Sequence, residues 1–441
     1  MLQSSISRDH NVLIQGYVDD TVLLMSHFNH EILQQTVNKV LGNILNWSEK
    51  MKLKINYNKC NVIVFSKANP LKKGPSIKFQ NIKIKNVTSV KYLGILIDHR
   101  LNCTEHVYYI YQKATKITNA LKSICRNHRG YSPSSSRILY TAAIEPVILY
   151  GVEIWSSSAL RVHIKRKLLS IQRLSAISIA KAYKTAPTEA LLVLCNLLPI
   201  DLKVREAFIR YNIFKLTDNK ITSSQFNQMV SNDNFSKDIL SIGKLALTNG
   251  IEKVYDAPPI HSGFSIQYDT NTTITNNSSI RIFIDGCKSD TDVGCAFVAY
   301  KRHRLHQLQR RLASHCTNNQ AESLAILFAL QWIKNNCQLL MVNNFHIFSD
   351  SRIAIQQLMK LNNCLHIVNE SLNTIIALQS INVNVSFHWV KGHSGIVGNE
   401  RADLLARSAP MTNGLVSYNK LSLTHIKHSI HSIMLNSWQQ R

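Results

Sequence analysis

The sequence predicts a multidomain protein in which an α+β unit and a helical, basic middle region precede an α/β domain. Three observations carry that expectation. Residues 11–98 interleave short β-branched runs with one amphipathic stretch, residues 103–215 read as helical and basic, and residues 281–409 alternate strand-like and helix-like runs. Alternation of the last kind marks helices layered on a sheet.

In chain order, residues 11–18 and 21–25 are two apolar runs joined at Asp19-Asp20, a strand–turn–strand unit. Residues 28–50 place Ile32, Val37, Val40, Leu41, Ile44 and Leu45 on one helical face, with Trp47 beside them. A strand is expected in CNVIVF, a polar loop over 67–76, and a strand pair ending in VKYLGILID. These bound a first domain over 1–102, which reads as incomplete at its front, and a helical region over 103–215 with Pro146 and Pro187 at boundaries. Aromatics in YTAAIEPVILYGVEIW sit among aliphatic residues and are assigned to a core rather than a base-stacking platform. Residues 216–279, rich in Asn, Ser, Thr and Asp, read as a polar linker whose later part is a tether. The α/β domain spans 280–410, and 411–441 is expected to be a helical tail.

With 51 Lys+Arg against 26 Asp+Glu, the chain carries a net charge of +25. Such an excess concerns partners rather than fold, and nucleic acid is the default partner. Basic residues recur along KSICRNHRG, RVHIKRKLLSIQR and KRHRLHQLQRR, as suits faces that follow a phosphate backbone; the bland alternative is solubility by like-charge repulsion. Nine scattered cysteines with no C-x-x-C pair or Cys/His array argue against a zinc finger or redox motif, and fit small core residues in a reducing compartment. No apolar run approaches a membrane span and no secretory segment opens the chain. The expected setting is intracellular, in nucleus or cytoplasm, with no membrane and no obligate protein partner.

Four carboxylates in the last third carry the chemistry. Asp285 ends the β-rich run RIFIDGC, Glu322 opens the helical run NNQAESLAILFALQWI, Asp350 ends FHIFSDS, and Asp403 follows the glycine-containing loop of HWVKGHSGIVGNERADLLA. Acids at the ends of neighbouring strands lie close together, because strands pack about 4.8 Å apart. Convergent carboxylates repel unless cations neutralise them, and their natural occupants are hard divalent ions, Mg²⁺ first. Two such ions roughly 4 Å apart would clamp an in-line displacement at phosphorus. His393, flanked by glycines in KGHSG, is expected to be exposed and free to exchange protons near neutral pH. The competing readings are a solvated acidic face for the four acids and an ordinary surface position for His393.

Segment 281–409 resembles a type 1 ribonuclease H domain on these motifs: IDG at Asp285, AES at Glu322, SDS at Asp350, and HWVKGHSGIVGNERAD with His393, Asn399 and Asp403. The resemblance implies a mixed five-stranded sheet flanked by helices. It also implies two Mg²⁺ ions, with Mn²⁺ as a substitute, on the four acids, and cleavage of the RNA strand of an RNA–DNA hybrid that leaves a 5′ phosphate. His393 would match the histidine of a flexible loop and Asn399 an asparagine that helps hold substrate. Asn319 and Gln320 fall where the family contacts the minor groove and RNA 2′-hydroxyls.

At the other end, GYVDDTVLLM with the helix, KINYNKCNVIVFS and VKYLGILID resembles the later palm of a reverse transcriptase from a non-LTR, LINE-like retrotransposon of insect type. The resemblance implies Asp19 as a metal ligand with Asp20 beside it, Lys59 as the palm's later lysine, and Tyr92-Leu93-Gly94 as a primer grip. Residues 103–215 would then be a thumb or connection region. The family also needs an aspartate far upstream of this turn and fingers for template and nucleotide, for which eighteen residues leave no room. The chain alone is therefore not expected to polymerise. An upstream endonuclease and a CCHC knuckle, present in some relatives, are absent from this sequence.

Three functions compete: a hybrid-cleaving nuclease within a retrotransposon polyprotein fragment binding RNA and DNA, an RNA-directed DNA polymerase in a longer parent chain, and a non-catalytic nucleic-acid-binding remnant. Retention of all four acids with His393 favours the nuclease.

Overall fold

A computed structural model describes residues 12–65, 75–79, 82–125, 131–231, 235–255, 265–267, 279–359, 364–412 and 414–441. They fall in two compact units, Met1–Phe208 and Ile209–Arg441. Most of the expected loop over 67–76, the basic stretch 126–130 and Pro258-Pro259 lie outside the described residues.

In the first unit Val12–Tyr17 (β1) and Asp20–Met25 (β2) pair antiparallel, with Tyr17 opposite Asp20. The turn is Val18-Asp19, one residue earlier than the sequence suggested, and Val18 has φ +52°. Two-residue hairpins need that left-handed twist at the first turn position. Helix His30–Lys50 (α1) starts where the Asn29 side chain accepts the Glu31 N–H. It packs Val40 with Ile14, and Leu41 with Ile77, Phe79 and Ile84. Strand Asn61–Ile63 (β3) runs parallel to Lys85–Val87 (β4), and Ser89–Tyr92 (β5) forms a hairpin with Ile95–Asp98 (β6). Among the described residues these strands pair only two by two.

Helices Thr104–Cys125 (α2), Val162–Ala180 (α3) and Ile200–Thr217 (α4) dominate the region that follows. Tyr140 and Trp155 are core residues, and the Trp155 indole donates to the Tyr150 carbonyl at 2.9 Å. Tyr150 departs from the core assignment: it is exposed and donates its hydroxyl to the Leu93 carbonyl. Among the described residues no single helix is long and apolar enough to cross a membrane; a bent pair, Pro133–Leu149 with Val152–Leu160, meets that test only jointly.

In the second unit the segment expected as a linker is folded in its first part. Ser223–Val230 (α5) begins with a reciprocal capping box between Thr222 and Gln225, and Ser236–Asn249 (α6) buries Ile239, Ile242 and Ala246. The polar composition misled because Thr and Gln here act as caps, while Phe226 and Val230 supply an apolar face.

The sheet follows the order Ser265–Gln267 (β7), Asn384–Trp389 (β12), Asn344–Ser349 (β11), Ser279–Lys288 (β8), Val293–Tyr300 (β9), Arg304–Leu312 (β10). The last five form the expected mixed sheet, in which β8, β9 and β10 are an antiparallel meander and β8, β11 and β12 run parallel. Strand β7 adds a sixth, parallel edge. Helices Asn318–Leu340 (α7) and His366–Gln379 (α8) cover one face through Leu324, Leu327, Ile333 and Leu372. Helix Val397–Ser408 (α9) covers the other, setting Ala402, Leu405 and Ala406 on Phe283, Val298 and Phe348. The tail forms helix Leu423–Gln439 (α10), packed on α6.

Because Phe226 is buried at 2% exposure against Gly243, Phe226→Ala is expected to cost about 3 kcal/mol of stability. Denaturant unfolding measures it; an unchanged midpoint would mean that 223–249 is a tether after all.

Candidate active site

Register alone brings two acids together. Phe283 of β8 pairs with Phe348 of β11, so Asp285 and Asp350, each two residues on, emerge at one level from adjacent parallel strands. The third acid comes from α7, whose start is fixed by a capping box: the Thr317 hydroxyl accepts the Gln320 N–H at 3.2 Å, and Gln320 Oε1 accepts the Thr317 N–H at 2.9 Å. Glu322 follows two residues later. Gly286 lets that helix press onto the strand, since a Cβ there would lie 2.5 Å from the Glu322 nitrogen. Ligand oxygens of Asp285, Glu322 and Asp350 all lie within 4.8 Å of one another.

Asp403 stands at the rim. It is half-buried, its charge acts on Asp285, and it accepts from Arg407 Nε at 2.7 Å. On the far side the loop after β12 presses against Asp350, where a Cβ at Gly392 would meet Asp350 Oδ2 at 2.7 Å. The Trp389 indole donates to the Asp350 backbone carbonyl at 2.9 Å, and the Arg352 guanidinium lies 3.9 Å over the Trp389 ring.

Asp285 and Glu322 are 6% and 4% exposed. Burial first, then the charges of Asp350 and Asp403, push the Asp285 carboxyl up to about 8, with the Gly286 N–H partly offsetting them. Burial, then Asp285 and Asp350, likewise raises Glu322 well above the usual carboxylate range. Glu322 Oε2 is buried without a hydrogen-bond partner. An oxygen-only donor set, dry, mutually repelling and holding an orphaned carboxylate oxygen, fits a hard divalent cation. No comparable grouping of potential ligands occurs at Asp19 and Asp20 among the described residues.

The other predicted residues divide. His393 is exposed at φ +51° and Asn319 is exposed at the start of α7. Asn399 is 3% exposed and its Nδ2 approaches Asp350 Oδ2 at 3.4 Å, so it faces an acid of the cluster rather than open groove. Gln320 also differs from expectation. It is buried, and its Nε2 donates to Glu252 Oε2 at 3.0 Å and to the Lys420 carbonyl at 3.2 Å. In the first unit Asp19 and Asp20 are exposed at a hairpin tip, Lys59 lies in a short 3₁₀ turn, and Leu93-Gly94 is the turn after Tyr92. Sequence reasoning missed Arg407, although its spacing four residues after Asp403 on a helix was a local signal. It also missed Glu252, for which no local signal exists.

Residues 277–410 match the RNase H family. The chain is 26% identical over 209 residues to "Putative 115 kDa protein in type-1 retrotransposable element R1DM" of Drosophila melanogaster, covering 47% of this chain and 20% of that one. It is 23% identical over 222 residues to "Retrovirus-related Pol polyprotein from type-1 retrotransposable element R1 4" of Nasonia vitripennis, covering 46% and 56%. The chain thus spans from about a fifth to about half the length of these retroelement relatives. To "Ribonuclease H" of Bartonella bacilliformis it is 30% identical over 146 residues, covering 31% of this chain and 92% of that protein.

The raised Asp285 value dictates a pH dependence. Free carboxylic acids release their proton near pH 4, roughly, whereas the metal-free fold keeps this one up to about 8. The stability contributed by that proton is full below the ordinary carboxylate pKa and is lost as pH rises through about 8. Asp285→Asn in EDTA is expected to melt above wild type at pH 8, with the gap narrowing toward pH 5. Thermal scans at both pH values measure it, and a mutant that melts lower at pH 8 would show that the acids do not repel.

Proposed function

Because the chain belongs to the ribonuclease H family through residues 277–410, we propose that it hydrolyses the RNA strand of RNA–DNA hybrids endonucleolytically, within a non-LTR retrotransposon polyprotein. The observation that carries the reading is the convergence of Asp285, Glu322 and Asp350 within 4.8 Å, with the Asp403 charge acting on Asp285. Asp285, Glu322, Asp350 and Asp403 would hold a pair of Mg²⁺ ions. When bound, the ions supply charge that offsets the acids and the negative charge developing at phosphorus.

The chain's own residues supply position and proton transfer. Asn399 and the packed Gly392 loop hold the Asp350 carboxylate in one orientation. His393, exposed beside that loop, exchanges a proton between solvent and the departing group. Exposed Asn319 reaches the minor-groove edge, where the 2′-hydroxyl distinguishes RNA from DNA. A net charge of +25 strengthens attraction to the phosphate backbone. A second reading, RNA-directed DNA polymerase activity of a longer parent chain, is favoured by the hairpin that exposes Asp19 and Asp20 at its tip.

Labelled hybrid incubated with Mg²⁺ tests the nuclease. Wild type should cut the RNA strand alone; Asp350→Asn should slow cutting by at least about 10²-fold and His393→Ala by roughly 10²-fold. Absence of cutting by folded wild type, or equal cutting by Asp350→Asn, would leave a nucleic-acid-binding remnant instead.

A further inference from the structure

Glu252 is 2% exposed and lies outside the stretch that matches the family. Its backbone N–H donates to the Leu421 carbonyl at 2.9 Å, and the Leu421 N–H donates to Gly250 at 3.0 Å. Further along, the Ser417 N–H donates to Arg311 and the Ala313 N–H to Tyr418, both at 2.9 Å. The segments before and after the family domain are thereby joined to each other and to the approach to α7. At their meeting point the Glu252 carboxylate accepts two donors, Gln320 Nε2 at 3.0 Å and the Tyr418 hydroxyl at 3.2 Å.

We infer that Glu252 is a positioning residue for Glu322, acting through Gln320, so that the active site depends on chain outside the family domain. Gln320 has one orientation that serves both its contacts. Its Oε1 must face the Thr317 N–H to close the capping box, and its Nε2 must then find acceptors. Glu252 and the Lys420 carbonyl are those acceptors. Without the carboxylate the amide keeps only the Lys420 carbonyl as an acceptor and is held less firmly, and an amide that turns away opens the box. The first turn of α7 then loosens, and Glu322, two residues on and pressed against Gly286, loses its fixed place among the acids. Residues that orient a metal ligand commonly change metal affinity or activity by about 10–100-fold when removed.

The inference rests on Glu322 being a metal ligand, and the full chain tests it in two ways: Mg²⁺-induced thermal stabilisation, and steady-state cleavage of hybrid. Glu252→Ala should raise the half-saturating Mg²⁺ concentration about tenfold and lower kcat by a similar factor, with KM for hybrid changed less than about twofold. Glu252→Gln, which keeps one acceptor oxygen, should fall between it and wild type. Gln320→Ala combined with Glu252→Ala should be no worse than the worse single change, as expected of two residues acting in one contact. Folded Glu252→Ala with the wild-type Mg²⁺ response overturns the inference. Should that variant not fold, Tyr418→Phe and Glu252→Gln decide: a weakened Mg²⁺ response supports the inference and an unchanged one overturns it. If wild type shows the Mg²⁺ shift but does not cut hybrid, the nuclease reading fails while the Glu252 comparison still stands.

Discussion

Repulsion among buried carboxylates is the constraint on which the second unit depends. Asp285 and Glu322 are nearly water-free, and Asp350 lies within 4.8 Å of both. Two negative charges at such range in a dry site cannot both persist without compensation. Burial and neighbouring charge accordingly favour the protonated forms and hold Asp285 and Glu322 above the usual range. A divalent cation would replace those protons with a stronger partner and occupy the orphaned Glu322 oxygen.

The architecture serves to keep these groups from moving apart. Strands β8 and β11 set two acids at one level, and apolar packing on both faces of the sheet makes that level rigid. Close contacts made possible by glycine admit the helix bearing Glu322 on one side and the His393 loop on the other. Past this core, the polar segment before the sheet and the tail after it join at Glu252 and Leu421 and meet the start of the same helix. The chain outside the family domain therefore contributes to the order of the site.

Much of this was legible in the sequence because it is local. Runs such as RIFIDGC and FHIFSDS announce buried strands carrying acids, although β8 runs on past Asp285 to Lys288, and NNQAESLAILFALQWI announces helix α7. Four acids at element ends pointed to one cluster, and three of them meet as a triad with Asp403 beside it. What stayed hidden is contact across sequence distance. The partner of Gln320 lies 68 residues upstream in a segment whose polar composition suggested a tether. The resemblance assigns Asn399 to holding substrate, yet tertiary packing buries it facing Asp350. In the first unit the hairpins were recognisable from turn residues, but pairing between hairpins is not encoded locally, and the described strands remain in twos.

Calorimetric titration of Mg²⁺ into the protein near pH 7, in buffers of differing ionisation enthalpy, tests the constraint most directly, because it counts protons released as the cation binds. The account predicts proton release on binding by wild type and less release by Asp285→Asn, which removes a carboxyl held at about 8. Binding with no proton release by wild type, or no binding to this site at millimolar Mg²⁺, would contradict it.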